Sequence, residues 1–496
     1  MSQHYDVLII GAGLSGIGAA CHLAMECPDK QVGILERRKA IGGTWDLFRY
    51  PGIRSDSDMF SFGFKFRPWN ELKVLADGPS IRNYVGDTAR EYGVEEKIRF
   101  GVKTTSAEWS SSQRRWVVIA TDEDSGEEQR FTSDFLIGAT GYYNYDQGYL
   151  PDFPGSERFQ GRQIHPQHWP EDLDYSGKRV VVIGSGATAV TLVPSMAEKA
   201  GHVTMLQRSP SYVLSLPDED HTAETLSRFI PRKAAFGAAR WKHVMLSMAF
   251  FQFCRRFPER ARKMLRKQVA AQLPEHIDVD THFRPSYNPW DQRLCFVPNG
   301  DLFKALRAGT ASIATDHIER FVPTGIRLQS GETLEADIIV TATGLKMLAM
   351  GGIEFSVDGE AVQLPEQLSY KGMMISELPN MAIALGYTNA SWTLKADLTS
   401  MYVCRLLQHM DKHGYDYCMP RNQDPTLEEE PIIDLAAGYV LRALDQFPKQ
   451  GSRAPWKIYQ NYVLDLLTLR WGRVRDEAMH FGHRRAPAAA RRRAAA

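Results

Sequence analysis

Asp6-Val-Leu-Ile-Ile10-Gly11-Ala-Gly13-Leu-Ser15-Gly16 is the stretch whose reading orders the rest of the 496-residue chain. Val7 to Ile10 form an unbroken apolar run, as expected of a parallel strand covered on both faces. Gly-x-Gly-x-x-Gly follows, and the next residues predict a helix from Ile17 to about Met25. This is the strand, turn and helix that a dinucleotide pyrophosphate requires. Gly11 permits the tight turn, Gly13 lets backbone approach the phosphates, and Gly16 lets helix and strand pack closely, with Ser15 inside the turn. A second strand, Gln31-Val-Gly-Ile-Leu35, ends at Glu36, a carboxylate placed to bond ribose hydroxyls. Glycines alone carry little weight; the flanking strand and helix and the terminal acid make the site specific.

The pattern returns downstream. Lys178-Arg-Val-Val-Val-Ile183 is again an apolar strand, followed by Gly184-Ser185-Gly186-Ala187-Thr188-Ala189 and an apolar helix. Its second strand, His202 to Leu206, ends at Gln207-Arg208-Ser209 instead of an acid. A guanidinium beside a hydroxyl suits a ribose 2′-phosphate, which predicts NADPH at this second site. The alternative is an exposed Arg208 and a mixed cofactor preference. A buried strand ending in Ala-Thr-Gly, Phe135–Gly141, closes the first fold, and Asp337–Gly344 repeats that ending where the chain is expected to return and complete the first domain. The predicted class is therefore α/β, with two dinucleotide-binding (Rossmann-like) domains.

Composition narrows the partners. The chain is too long for one simple core. Hydrophobic content of 43%, charged content of 24% and zero net charge exclude a global basic field, so no nucleic-acid partner is expected. The six cysteines are scattered without a Cys-x-x-Cys or zinc pattern, so no metal is expected and a cytoplasmic setting with reduced thiols fits. No signal peptide precedes the first strand, and no apolar run reaches the length of a membrane span. Residues 98 to 131 predict a short β-meander, with strands near Ile98–Val102, Ser106–Trp109, Arg115–Ala120 and Gln129–Phe131. Thr104 is there a candidate contact on the adenine side of the first site. Residues 214 to 274 predict helices rich in Arg and Lys, a helical insertion that also has the composition to rest on an anionic membrane as a weak peripheral contact. Asn389 or Ser391 is a good N-cap for a helix running to about Leu407.

Three loops remain. Gly42-Gly43-Thr44-Trp45-Asp46-Leu47-Phe-Arg-Tyr50-Pro51-Gly52-Ile-Arg54-Ser55-Asp56 has no helical or strand period and reads as a loop folded against a ligand. Phe159-Gln-Gly161-Arg-Gln-Ile-His165-Pro-Gln-His-Trp169-Pro170 joins the two sites, and Tyr287-Asn-Pro-Trp-Asp-Gln-Arg293-Leu-Cys295 presents an arginine. The first two resemble the signatures of Baeyer–Villiger monooxygenases, and the loops as a set resemble those of the family's mycobacterial members that activate a thioamide prodrug. That resemblance assigns FAD to the first site and makes Thr44, Trp45, Asp46, Leu47, Arg54, Ser55 and Asp56 cofactor contacts. It makes Arg293 and Asp56 the catalytic pair, and Phe159, Gly161, His165, Trp169 and Pro170 a domain-coupling fingerprint. Gln292 stands where better-studied members carry Lys. The implied domains are FAD, 1–145 and 341–485; NADP, 146–213 and 286–340; insertion within the latter, 214–285; and a disordered tail, 486–496.

The family implies a reaction in which NADPH reduces FAD, a C4a-peroxyflavin forms with O2, and one oxygen is inserted beside a ketone carbonyl to give an ester or lactone. Oxidation of sulfides, thioamides or amines is the alternative, and a non-catalytic NADPH-sensing flavoprotein is a third reading. The residues themselves reach two nucleotide sites; oxygen insertion rests on the resemblance.

Overall fold

A computed structural model describes residues 3–483. The tail expected over 486–496 lies outside the described residues. The first nucleotide turn is built as its sequence predicts. Strand β1 (Gln3–Ile10) runs into helix α1 (Leu14–Glu26), which starts three residues earlier than its apolar pattern suggests and hides Ile17, Ala20, Cys21 and Leu23. Strand β2 (Val32–Glu36) is buried along its whole length and pairs parallel to β1. Gly33 is required there because a Cβ would sit 2.4 Å from the Tyr5 ring.

The meander differs from expectation in one respect. Gln129–Phe131 and Phe135–Gly138 are not two strands but one, β3 (Glu128–Gly138). Its first half pairs antiparallel with Arg115–Asp122, while its C-terminal part runs parallel to β1 and to Met381–Ile383. Ser133 and Asp134 read as a break, but the Ser133 hydroxyl donates to the Phe135 carbonyl at 2.6 Å, which satisfies a buried polar group without leaving the sheet. The result is a nine-stranded sheet that also recruits Glu354–Val357 and Glu360–Ala361 from the C-terminal part of the chain.

Strand β4 (Tyr143–Gly148) leaves this sheet, and a five-stranded parallel sheet follows. In it β5 (Arg179–Ile183) lies between β6 (His202–Gln207) and β7 (Ile338–Thr341), with Ala311–Thr315 and Arg162–Ile164 at the edges. Helix α2 (Ala187–Met196) carries the second nucleotide turn. The returning strand β8 (Leu345–Met347) pairs antiparallel with β4, so the outgoing and returning connections form one two-stranded ribbon between the sheets.

Between Val213–Leu216 and Cys295–Pro298, which pair parallel, the chain inserts α3 (Arg232–Arg256), α4 (Pro258–Ala270) and two short helices. Helix α5 (Trp392–His413) runs six residues past its predicted end, because Tyr402, Leu406, Leu407 and Met410 continue the buried face until Gly414 stops it at φ +68°. Its Leu394, Leu398 and Val403 share a core with Ile17, Ala20 and Leu23 of α1. Thr44–Leu47, read as loop, forms one helical turn. Among the described residues no helix is long and apolar enough to cross a membrane.

Candidate functional site

A cavity of about 340 Å³ begins at the first nucleotide turn and ends at Arg293. Gly11, at φ +107°, lies so close to the end of β3 that a Cβ would meet the Ala139 carbonyl oxygen at 2.6 Å. A Cβ on Gly16 would sit 1.8 Å from the Gly11 carbonyl oxygen. Gly43 backs onto Gly13, where a Cβ would stand 3.1 Å from the Gly13 Cα. The two glycine turns therefore face each other across a gap that only backbone can line. Ser15 holds its hydroxyl 2.9 Å from the Trp392 indole nitrogen, which donates to it.

Glu36 ends β2 with its carboxylate buried against the same cavity. The Ala12 N–H donates to one oxygen at 2.6 Å and the Arg38 N–H to the other at 2.7 Å. Burial raises the Glu36 pKa, and these two N–H groups oppose the shift. Thr104 also lines the cavity, with a buried hydroxyl that has no protein partner. At the start of α5, Ser391 occupies the N-cap position without capping through its side chain; its hydroxyl and the Asn389 carbonyl oxygen are likewise buried and unpartnered. The Asn389 amide instead donates to the Gln460 carbonyl at 2.8 Å. A glycine cradle, a ribose-length carboxylate and the unpartnered Thr104 hydroxyl on one cavity fit a flavin dinucleotide in polar chemistry and shape, whereas Asn389 and Ser391 do not line that cavity.

Not every loop residue reaches this cavity. Thr44, Trp45, Arg54, Ser55 and Asp56 are on its walls. Asp46 is buried elsewhere, between Arg38 at 2.7 Å and Arg49 at 2.5 Å, and Leu47 packs with Val190 and Val193 of α2. Arg54 is tied to Asp301 at 2.5 Å.

Arg293 stands at the far end, 3.1 Å from Asp56. Asp56 beside it raises its already high pKa, so the guanidinium stays charged against the cost of burial. Its loop is shaped by Trp290, which takes φ +72°, a costly conformation for a large side chain. Asp291 holds the turn: it accepts from the Asn288 N–H and pairs with Arg255 of α3, each at 2.9 Å, while its carbonyl accepts from Ala436 N–H at 2.8 Å. The arginine is thus aimed by the insertion and by the C-terminal segment together.

Several cavity residues carry no sequence motif. Tyr142, Tyr143 and Tyr145 follow the first Ala-Thr-Gly, Tyr387 precedes α5 and Trp392 begins it. Tyr142 packs 5.0 Å from the Trp392 ring. A tyrosine-rich run directly after a closing strand is the one signal that marks the first three. Ala187, Thr188 and Thr191 of α2 line the same cavity, so the second nucleotide turn opens onto the first site.

That second turn is less enclosed. Gly184, at φ +141°, needs its conformation, and a Cβ there would lie 2.3 Å from the Ala342 carbonyl oxygen. Gly186 has no heavy atom within 4 Å of where a Cβ would be. Ser185 pairs with Ser211 at 2.9 Å, and Ala189 is buried behind the turn. Gln207 turns inward to the His282 carbonyl and the Thr315 hydroxyl, both at 2.8 Å, leaving Arg208 and Ser209 exposed at the end of β6. The open turn and its exposed cation fit a phosphorylated nicotinamide dinucleotide.

Of the linking fingerprint, His165 alone meets the ribbon, and Phe159, Gly161 and Trp169 pack on the second fold. Phe159 is buried against Phe321, and Gly161 passes so near β7 that a Cβ would meet the Asp337 carbonyl oxygen at 2.3 Å. His165 places Nε2 3.2 Å from the Gly344 carbonyl and accepts the Gln167 N–H on Nδ1 at the same distance. Gly148 of β4 lies directly beneath its ring. Burial lowers the His165 pKa. Trp169 packs on the second domain's core, followed by the half-buried Pro170.

Comparison with known proteins agrees with this arrangement. The chain is 56% identical to MymA of Mycobacterium tuberculosis over 486 residues, 97% of this chain and 98% of that protein. It is 54% identical to the FAD-containing monooxygenase EthA of the same organism over 488 residues, 98% of this chain and 99% of that protein. An oxidized steroid monooxygenase bound to NADP shares the fold at TM-score 0.77 and 21% identity, over 97% of this chain and 100% of that one. Residues 9–76 match the NAD(P)-binding Rossmann-like domain, and residues 74–384 match the flavin-binding monooxygenase-like family. With the fold, the facing glycine turns and near-full-length relatives in agreement, the chain belongs to the flavin-binding monooxygenase family.

Proposed function

We propose that the protein is an FAD- and NADPH-dependent monooxygenase of the Baeyer–Villiger type, which converts a ketone, O2, NADPH and a proton to an ester or lactone, water and NADP+. The observation that carries this reading is the Arg293–Asp56 pair, 3.1 Å apart on the wall of the dinucleotide cavity. Bound there, FAD supplies the activation of O2 and the transferable oxygen once NADPH has reduced it.

The chain's own residues supply binding, orientation and charge. The amino end of α1 and the Gly11–Gly13 turn receive the flavin nucleotide's pyrophosphate, and Glu36 accepts from its ribose. The α2 turn and Arg208 receive the second nucleotide and its 2′-phosphate. Arg293 places a fixed positive charge where negative charge develops on oxygen during attack on the carbonyl, and Asp56 holds the guanidinium in that orientation. Tyr142, Trp392 and Tyr387 form an aromatic wall that keeps water from the reacting oxygen. His165 ties the two connections at the ribbon, so a movement of the second domain is transmitted to the placement of its nucleotide.

The test is turnover of the purified yellow protein with NADPH and isotopically labelled O2, supplied in turn with a cyclic ketone and a sulfide. The expected product is a lactone bearing one labelled oxygen, with one NADPH consumed per product. Sulfoxide without any lactone would assign the site to heteroatom oxidation. NADPH consumption indifferent to both substrates would exclude oxygen transfer to either.

A further inference from the structure

The insertion that aims Arg293 has a second face. Residues 228–272 carry twelve Lys and Arg against one acid, Glu259, and α3 contains no acid in 25 residues. One side of α3 is accounted for: Val244 and Met248 pack into the core with Tyr462 and Leu466, and Trp241 lies 5.8 Å from the Tyr462 ring. Other positions on α3 are not. Met245 and Leu246 are 51% and 58% exposed, and the C-terminal segment that meets α3 through Tyr462 exposes Leu464, Leu467 and Trp471, the last by 62%. Of the fifteen large apolar side chains exposed among the described residues, seven fall within 229–264 and three within 464–471, so the exposure is concentrated there.

Exposed cations lie on α3 and α4. Arg232, Lys233, Arg256, Lys263 and Lys267 are exposed and form no ion pair among the described residues. Arg256 and Arg260 both lie over the exposed Phe257 ring, at 6.0 and 5.3 Å, which keeps charge and apolar surface side by side. Two adjoining helices that expose apolar side chains and Lys and Arg with no ion pair among the described residues, and carry almost no acid, have the composition of a segment that rests in the interface of an anionic bilayer. A second copy of the chain fits poorly, because a two-fold contact through this face would set cation against cation.

We propose that the face formed by α3, α4 and residues 464–471 docks on the surface of an anionic phospholipid bilayer, with Met245, Leu246 and Trp471 entering the headgroup layer. Docking would hold the insertion, and with it the Asp291 turn, against the membrane. This goes beyond the catalytic reading and does not depend on it.

The experiment is co-sedimentation of the flavin-loaded full chain with phosphatidylcholine vesicles, with and without phosphatidylglycerol. Binding is expected only with phosphatidylglycerol, falling steeply as salt is raised. Lys263→Glu with Lys267→Glu should weaken it at least tenfold, and Met245→Ser with Leu246→Ser should weaken it without restoring salt resistance. These four side chains lie outside the cavity, so bound flavin and NADPH oxidation should be unchanged, which separates loss of docking from loss of folding. Equal binding to neutral vesicles, no binding to either, or unaltered binding by both variants would overturn the proposal. So would a dimer in solution that Met245→Ser with Leu246→Ser converts to monomer, since the face would then belong to a second copy.

Discussion

The two nucleotide turns start from nearly the same sequence and end in different surroundings. At Gly11-Ala-Gly13-Leu-Ser-Gly16 the turn is walled by Ala139, Gly43 and Trp392, and Glu36 is buried and bonded by backbone on both oxygens. At Gly184-Ser-Gly186 the turn is open above Gly186, and the corresponding strand ends with Gln207 turned inward and Arg208 outward. One turn is enclosed by the rest of the chain and the other is open above Gly186. A phosphate motif specifies a local backbone shape, whereas the time a ligand stays is set by the walls that the rest of the chain supplies.

The sharpest way to break this comparison is at the glycines. Gly16→Ala brings a Cβ to 1.8 Å from a backbone oxygen, so its cost should exceed the roughly 1–3 kcal/mol of ordinary overpacking. Loss of bound flavin and a large fall in thermal midpoint are expected. Gly186→Ala meets nothing and should fold within about 0.5 kcal/mol of the parent. Its defect should be confined to NADPH binding. If both variants lost flavin equally, the contrast between the turns would be wrong.

Glu36→Gln should weaken FAD about 10- to 100-fold, the range expected for removing a charged hydrogen-bonding partner, as read by equilibrium dialysis of the flavin. The second strand end should behave more mildly. Arg208→Ala should raise the KM for NADPH about tenfold, leave NADH unchanged, and lose its effect as salt is raised, since Arg208 is exposed.

The smallest expected effect is at the ribbon between the two folds. Burial lowers the His165 pKa below its ordinary 6.5, so the folded chain keeps a neutral ring where the unfolded chain begins to take a proton. The stability this contributes is complete above about pH 6.5 and is lost as pH falls through the folded value. Between about pH 7.5 and about pH 5.5, wild type should therefore lose slightly more thermal stability than His165→Gln. An identical loss in both would remove His165 from the acid response.

What could be read from sequence follows the same division. The strands, turns and helices around Gly11 and Gly184 were legible because glycine and apolar runs constrain backbone within a dozen residues. The pairing of Tyr143–Gly148 with Leu345–Met347 was not, because it joins segments two hundred residues apart that have no periodicity of their own. Asp46 stands inside a recognisable loop, yet Arg38 and Arg49 capture it, a choice that only tertiary packing makes. The β-strand break expected near Ser133 failed because one local hydrogen bond satisfies that hydroxyl inside the sheet. Arg293 and Asp56 were identifiable as a pair only through family resemblance; their 3.1 Å contact depends on a strained Trp290 and on Asp291, whose partners lie in the insertion and near Ala436.

The most direct test of the central claim is Arg293→Ala, followed by two readings on the same preparation: the anaerobic rate at which NADPH reduces the flavin, and the oxygenated product per NADPH consumed in air. If Arg293 serves as the fixed charge at the reacting oxygen, reduction should stay within about threefold of wild type while product falls by about 100-fold or more. A variant that reduces its flavin normally and still couples NADPH to product as well as wild type would contradict the account.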